Sequence, residues 1–197
     1  MFVGSDDEAR AAATGLLDAA EATHNPCALS FALQAYVAFR DADPDRARDA
    51  LRRGLVIAQG SGNRLTEAYL AAVLARVEAE HGDPVAALGY TALAVRNHHD
   101  SGNTIQVRVN LAVLAGLFDH LGRYEAAATI AGFAFNPITA ALLAESDTTI
   151  AQLSDVLGDQ TYESLAKNGD TMTTAEMVAY AYDQIDQART ELNAVSK

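Results

Sequence analysis

The sequence predicts an all-α fold: one array of antiparallel helical hairpins with a repeat of 40 residues, closed by a helical C-terminal cap. Three observations predict it. First, Ala dominates a chain of 197 residues that is 50% hydrophobic and holds only 4 Pro and 13 Gly. Runs of Ala, Leu, Arg and Glu favour helix, and no alternating Val, Ile and Thr segment bounded by turns suggests a strand. Second, the chain repeats itself at an offset of 40. Ser61-Gly62-Asn63 returns as Ser101-Gly102-Asn103, Ala72-Val73-Leu74-Ala75 as Ala112-Val113-Leu114-Ala115, and Gly82 as Gly122. Self-similarity at such a period marks stacked supersecondary units. Third, small residues recur in a fixed register: Ala35, Ala47 and Gly54, then Ala75, Ala87 and Ala94, then Ala115, Ala127 and Ala134. Small side chains at these places are what two helices need where their backbones cross closely.

Each element has a local reason. Ser5-Asp6-Asp7-Glu8 is a capping box with acid in the first turn, and a helix follows to about Ala22. Asp7-Glu8-Ala9-Arg10-Ala11-Ala12 resembles Asp45-Arg46-Ala47-Arg48-Asp49-Ala50, so residues 1–24 read as half a repeat or as a cap helix. The three hairpins occupy 25–136. Asn25-Pro26 starts a helix over 26–41. Asp43 and Asp83 are N-caps, and Pro44 and Pro84 sit in the first turn, where a missing N–H costs nothing. They begin helices over 44–59 and 84–99. Gly62-Asn63 and Gly102-Asn103 are a stop followed by a restart, opening helices over 64–81 and 104–121, and a last repeat helix covers 123–135. Asn136-Pro137 ends the pattern. The cap, 137–197, is expected to hold a short apolar helix at 138–145, helices at 148–157 and 160–167, a turn at Asn168-Gly169-Asp170, and a final helix opened by the Thr173–Glu176 capping box. A solenoid end must present a polar face to water.

The small-residue triad resembles that of tetratricopeptide repeats, with a period of 40 in place of their usual ~34. Arg46-Ala47-Arg48, Ser61-Gly62-Asn63-Arg64, Gly82-Asp83-Pro84-Val85-Ala86-Ala87-Leu88 and Leu121-Gly122-Arg123-Tyr124-Glu125-Ala126-Ala127 are similar to the helical-repeat region of large actinobacterial signal-transduction regulators. Those proteins join a STAND-type ATPase core and helical repeats to a LuxR-type DNA-binding or adenylate-cyclase-like domain. Leu157-Gly158, Tyr162, Leu165-Ala166, Met172-Thr173 and Val178-Ala179-Tyr180-Ala181 resemble the segment that closes the repeats there. The resemblance covers about residues 27–185. It implies a signalling or transcriptional role, and it assigns ATP handling and DNA contact to other domains.

Charge narrows the partners. A net charge of −12 disfavours direct nucleic-acid binding, which rests on Lys and Arg neutralising phosphates, and disfavours anionic membrane surfaces. The single Cys27 has no intrachain partner for a disulfide and fits a reducing cytoplasm. No apolar run reaches the length of a membrane span.

No catalytic or cofactor apparatus is expected. Gly60-Ser61-Gly62-Asn63 lacks the Lys and the preceding strand of a phosphate loop, and its recurrence at Ser101 makes it a turn. His98-His99-Asp100 reads as a solvated helix end rather than a metal site, because neighbours on a helix point 100° apart. Cys27, at a helix start, reads as packing.

The functional expectation is geometric. If the first helix of each hairpin lines a concave face, the small-residue register gives a floor of Ala32, Ala72, Ala112 and Gly116. Tyr36, Phe39, Arg40, Tyr69, Arg76, Glu80, Asp119 and His120 rise above it. Tyr and Arg over small residues suit a protein or peptide partner, another domain of the same regulator included. Within α-helical spacing, Arg76 and Glu80 also read as an exposed i,i+4 salt bridge. A small effector is the alternative ligand for the same face, and exposed repeat ends leave room for a homodimer.

Overall fold

In a computed structural model, which describes residues 5–136, 139 and 146–195, the chain is 87% helix with no strands among the described residues. Among the described residues ten α-helices follow one another: α1 (Asp6–Thr23), α2 (Pro26–Gln34), α3 (Pro44–Gly60), α4 (Arg64–His81), α5 (Pro84–Asp100), α6 (Thr104–His120), α7 (Tyr124–Ala134), α8 (Ser146–Leu157), α9 (Asp159–Asp170) and α10 (Thr174–Val195). A 3-10 helix, Ala35–Phe39, continues α2. The chain divides into two compact units, 1–97 and 98–197. The expected helix at 138–145 falls, apart from residue 139, outside the described residues.

The helix boundaries follow the capping chemistry. Ser5 and Glu8 form the full reciprocal box. The Asn25 side chain accepts from the Cys27 and Ala28 amides, Asp43 from Arg46, and Asp83 from Val85. The restart turn is the same object twice. Gly62 and Gly102 take φ of 70° and 71°, a left-handed conformation that costs only glycine nothing. The Asn63 amide donates to the Ala58 carbonyl at 2.9 Å, and Asn103 donates to His98 at the same distance. Each Asn then turns its side-chain oxygen forward to cap the next helix, at Thr66 and at Gln106. A six-to-one bond closing one helix and an Asn cap opening the next therefore meet in one residue.

In the first unit α3 lies between α2 and α4. Leu51, Leu55, Leu70, Leu74 and Val77 form the core, and Tyr90 and Leu93 of α5 pack against it. Gly54 shows why the register wants small residues. A Cβ there would sit 3.0 Å from the Leu33 Cβ of α2 and 3.3 Å from the Leu70 methyls of α4. Antiparallel pairing of α3 and α4 is fixed at both ends. Arg48 donates to the His81 carbonyl and Gln59 to Glu67. Arg64, at the start of α4, donates to Asn97 near the end of α5 at 3.0 Å.

In the second unit α7 is the central helix and packs against α6, α8, α9 and α10. Arg108 of α6 lies 4.0 Å over the Phe133 ring and donates to the Phe133 carbonyl near the end of α7. At the other end, Arg123 donates to Glu191 at 2.6 Å, Gln184 at 3.1 Å and Gln187 at 3.3 Å. This ties α10 down beside its buried stripe of Met177, Ala181, Ile185 and Ala188. The nine register residues are buried, save the half-buried Ala35.

Four local expectations need correction. The helix predicted over 26–41 ends at Gln34 and tightens into the 3-10 helix. Asn168-Gly169-Asp170 is not a turn, because α9 runs through it to Asp170. Gly169 is there for a close approach: a Cβ on it would overlap the Thr129 carbonyl oxygen of α7, and one on Gly132 would overlap the Ala166 backbone. Cys27, in the first turn of α2, is exposed rather than packed. His98 is buried while His99 and Asp100 are exposed. Burial pushes the His98 imidazole below its usual pKa.

Candidate functional site

The outward side of α4 is set by helix geometry. At 100° per residue, Thr66, Leu70, Leu74, Val77 and Glu78 share a broad face, and all are buried. What is left is a narrow sector. Leu65 is 62% exposed, and Tyr69, Ala72, Val73, Arg76 and Ala79 are half-buried, followed by exposed Glu80. Leu65, Tyr69, Ala72 and Arg76 are spaced by four, three and four residues, so they form one stripe about 16 Å long.

The end of this stripe meets the end of the 3-10 helix. The Arg40 guanidinium lies 3.2 Å from Glu80 and 3.1 Å from Asp41. His81 completes the group, 3.7 Å from Glu80 and 3.8 Å from Asp41. Arg40's hydrogen bond and charge hold the Asp41 carboxyl below its usual pKa, with His81 adding to the effect. Asp41, Glu80 and His81 offer three metal-ligand types with ligand atoms within 4.8 Å of one another, all exposed. A guanidinium already lies against both carboxylates, and it is this set's own counter-cation.

Behind the stripe is a second charged group. Glu78 is buried to 1% exposure yet ionically served. Arg52 donates to it at 2.6 Å, the Asp83 amide at 3.2 Å, and Arg48 stands 3.9 Å away. Burying a carboxylate is costly unless hydrogen-bond donors and opposite charge meet it. This group pins α4 to α3 and fixes the orientation of the stripe on the opposite side.

Comparison with protein-family models, curated proteins and solved structures finds no match.

The eight residues expected at the face fare differently. Arg40 and Glu80 are brought together, and Tyr69 and Arg76 share the α4 stripe. Tyr36 and Phe39 do not rise from a floor: they are 5% and 6% exposed. They continue the buried face of Ala32 and Leu33 at steps of three or four residues along the helix, and the two rings stack at 5.1 Å in the core. Arg46 covers them, its guanidinium 4.3 Å from the Phe39 centroid. In the second unit Asp119 is buried and His120 exposed. Burial pushes the Asp119 carboxyl above its usual pKa, and His120 opposes the shift. The floor positions Ala32 and Ala112 are buried, and Ala72 and Gly116 half-buried.

Sequence reasoning missed Asp41, His81 and the Glu78–Arg52 pair. The last had a signal. Glu78 falls at the i+4 position from Leu74 on an apolar face, and Arg48 and Arg52 sit one turn apart on the helix before it.

Among the described residues, no helix is long and apolar enough to cross a membrane.

Proposed function

We propose that this chain is a non-enzymatic interaction module of tetratricopeptide-like build that binds a protein or peptide along the outward stripe of α4, in the service of a signalling or transcriptional regulator. The stripe itself carries the reading. Tyr69 and Arg76 stand half-buried beside Ala72 on a helix whose other faces are packed. An aromatic and a guanidinium over a small residue on a rigid element is the composition of an interaction hot spot. The repeat build is supported by the twice-made glycine–asparagine turn and by the small-residue register at buried positions. The regulator setting rests on the resemblance of the repeat phrasing alone.

The test is an affinity pull-down with the whole chain as bait, beside a Tyr69→Ala/Arg76→Ala double variant of matched melting temperature. A protein retained by the first and lost from the second supports the module. Equal retention, or none, counts against it.

A further inference from the structure

We propose that the α4 stripe takes an acidic peptide segment, with a carboxylate set on Arg76 and an apolar side chain on Leu65 and Tyr69. This rests on the interaction-module reading and adds the chemistry of the partner. By spacing alone, Glu80 is the i+4 partner of Arg76. The structure gives Glu80 to Arg40 instead, at 3.2 Å. Arg76 is left on the stripe with no ion pair among the described residues. Its neighbours in the first unit are not left so. Arg10, Arg48, Arg52 and Arg53 each meet a carboxylate, Arg46 lies over two rings, and Arg64 bonds Asn97. In a chain of net charge −12 carboxylates are abundant, yet none of the described ones is placed on this half-buried guanidinium. A planar fork of donors with a partly removed water shell favours a carboxylate, bound in two places at once.

The remaining stripe specifies the rest of the segment. Leu65 offers an apolar surface, Tyr69 an aromatic one, and Ala72, between Tyr69 and Arg76, allows a close approach. The stripe's length of about 16 Å matches roughly three turns of a partner helix or five residues of an extended one. The cationic centre with an apolar flank on one side therefore fits a segment whose Asp or Glu lies beside an apolar residue. Arg40, held by Glu80 and Asp41, adds no second free cation to the stripe.

The experiment is selection of a random twelve-residue peptide display library on the full chain, followed by fluorescence anisotropy of the enriched peptides against wild type, Arg76→Ala and Arg76→Glu. The expected peptides carry Asp or Glu beside apolar residues and weaken about tenfold on Arg76→Ala, the scale of one charge-assisted hydrogen bond. They lose binding on Arg76→Glu, and Asp/Glu→Lys versions of the same peptides regain it there. Enriched peptides without acid, or binding indifferent to Arg76, overturn the acidic-partner inference and leave the module standing. No enrichment over an unrelated helical protein overturns the module reading and this inference with it. Circular dichroism melts of both variants keep the result interpretable, because removing a cation that has no ion pair should leave the melting temperature unchanged.

Discussion

Adding one methyl group to Gly132 should separate two helices. A Cβ there would overlap the carbonyl carbon and oxygen of Ala166, and one at Gly169 would overlap the Thr129 carbonyl oxygen. The obstacles are backbone atoms, which cannot rotate aside as a flexible side chain does. The α7–α9 crossing must open or the helices must shift. Overpacking of this kind costs about 1–3 kcal/mol, and a backbone clash belongs at the upper end. Replacing glycine by alanine inside a helix returns about 1 kcal/mol. The net loss is then about 2 kcal/mol, or roughly 4–8 °C of melting temperature for a chain of this length. Gly116, in the same unit, is the control. It is also inside a helix, and the nearest atom to its added Cβ is Thr149 Oγ1 at 4.0 Å. Gly116→Ala should raise the melting temperature by about 2–4 °C. Circular dichroism at 222 nm, with urea titrations, measures both. The Gly132→Ala/Gly169→Ala double variant should lose less than the sum, since one opening relieves both clashes. If Gly132→Ala stabilises as Gly116→Ala does, the two helices do not meet at the distance described.

Three further outcomes follow from buried groups. Ala75→Leu and Ala115→Leu each force a larger side chain into a position at most 2% exposed and should destabilise by about 1–3 kcal/mol, read as a lower urea midpoint. Glu78→Ala strands Arg52 and the Asp83 amide and should cost about 2–3 kcal/mol, while Glu80→Ala at the exposed pair with Arg40 should cost under about 1 kcal/mol. Asp119 sets a pH test. Its folded carboxyl holds its proton more tightly than the unfolded one, whose ordinary value is 3.8. Stability contributed by this group therefore falls as pH rises above about 3.8 and stays lower at neutrality. Asp119→Asn should stabilise at pH 7 and give no gain below pH 3.8 in paired urea titrations; a gain that persists at low pH would contradict the burial account.

Much of this architecture was legible in the residues because its signals are local. The caps at Ser5, Asp43, Asp83 and Thr173 and the Gly62 and Gly102 turns are set within four or five residues, and the chain forms them as read. The register of small residues also carried through, since a helix crossing excludes bulk wherever it falls. The failures are where a local pattern has two solutions. Gly169 is equally good for a turn and for a close crossing, and only α7 decides between them. Tyr36 and Phe39 share a helix face with Ala32 and Leu33, and that face is the core side rather than the open side. Arg76 and Glu80 have the spacing of a pair, and Arg40, 40 residues before Glu80, competes for the same carboxylate. Periodicity therefore placed Tyr69 and Arg76 on one side of α4, and only the fold shows which carboxylate meets which guanidinium.

The central claim is that a partner docks on the α4 stripe, and photo-crosslinking from that stripe tests it most directly. Benzoylphenylalanine in place of Tyr69, irradiated in a lysate of the source organism, should give one discrete crosslinked species. The same probe in place of the exposed Arg189 of α10 should not, and Arg76→Glu should abolish the species at position 69. No crosslink at position 69, or the same products from both positions, would contradict the account.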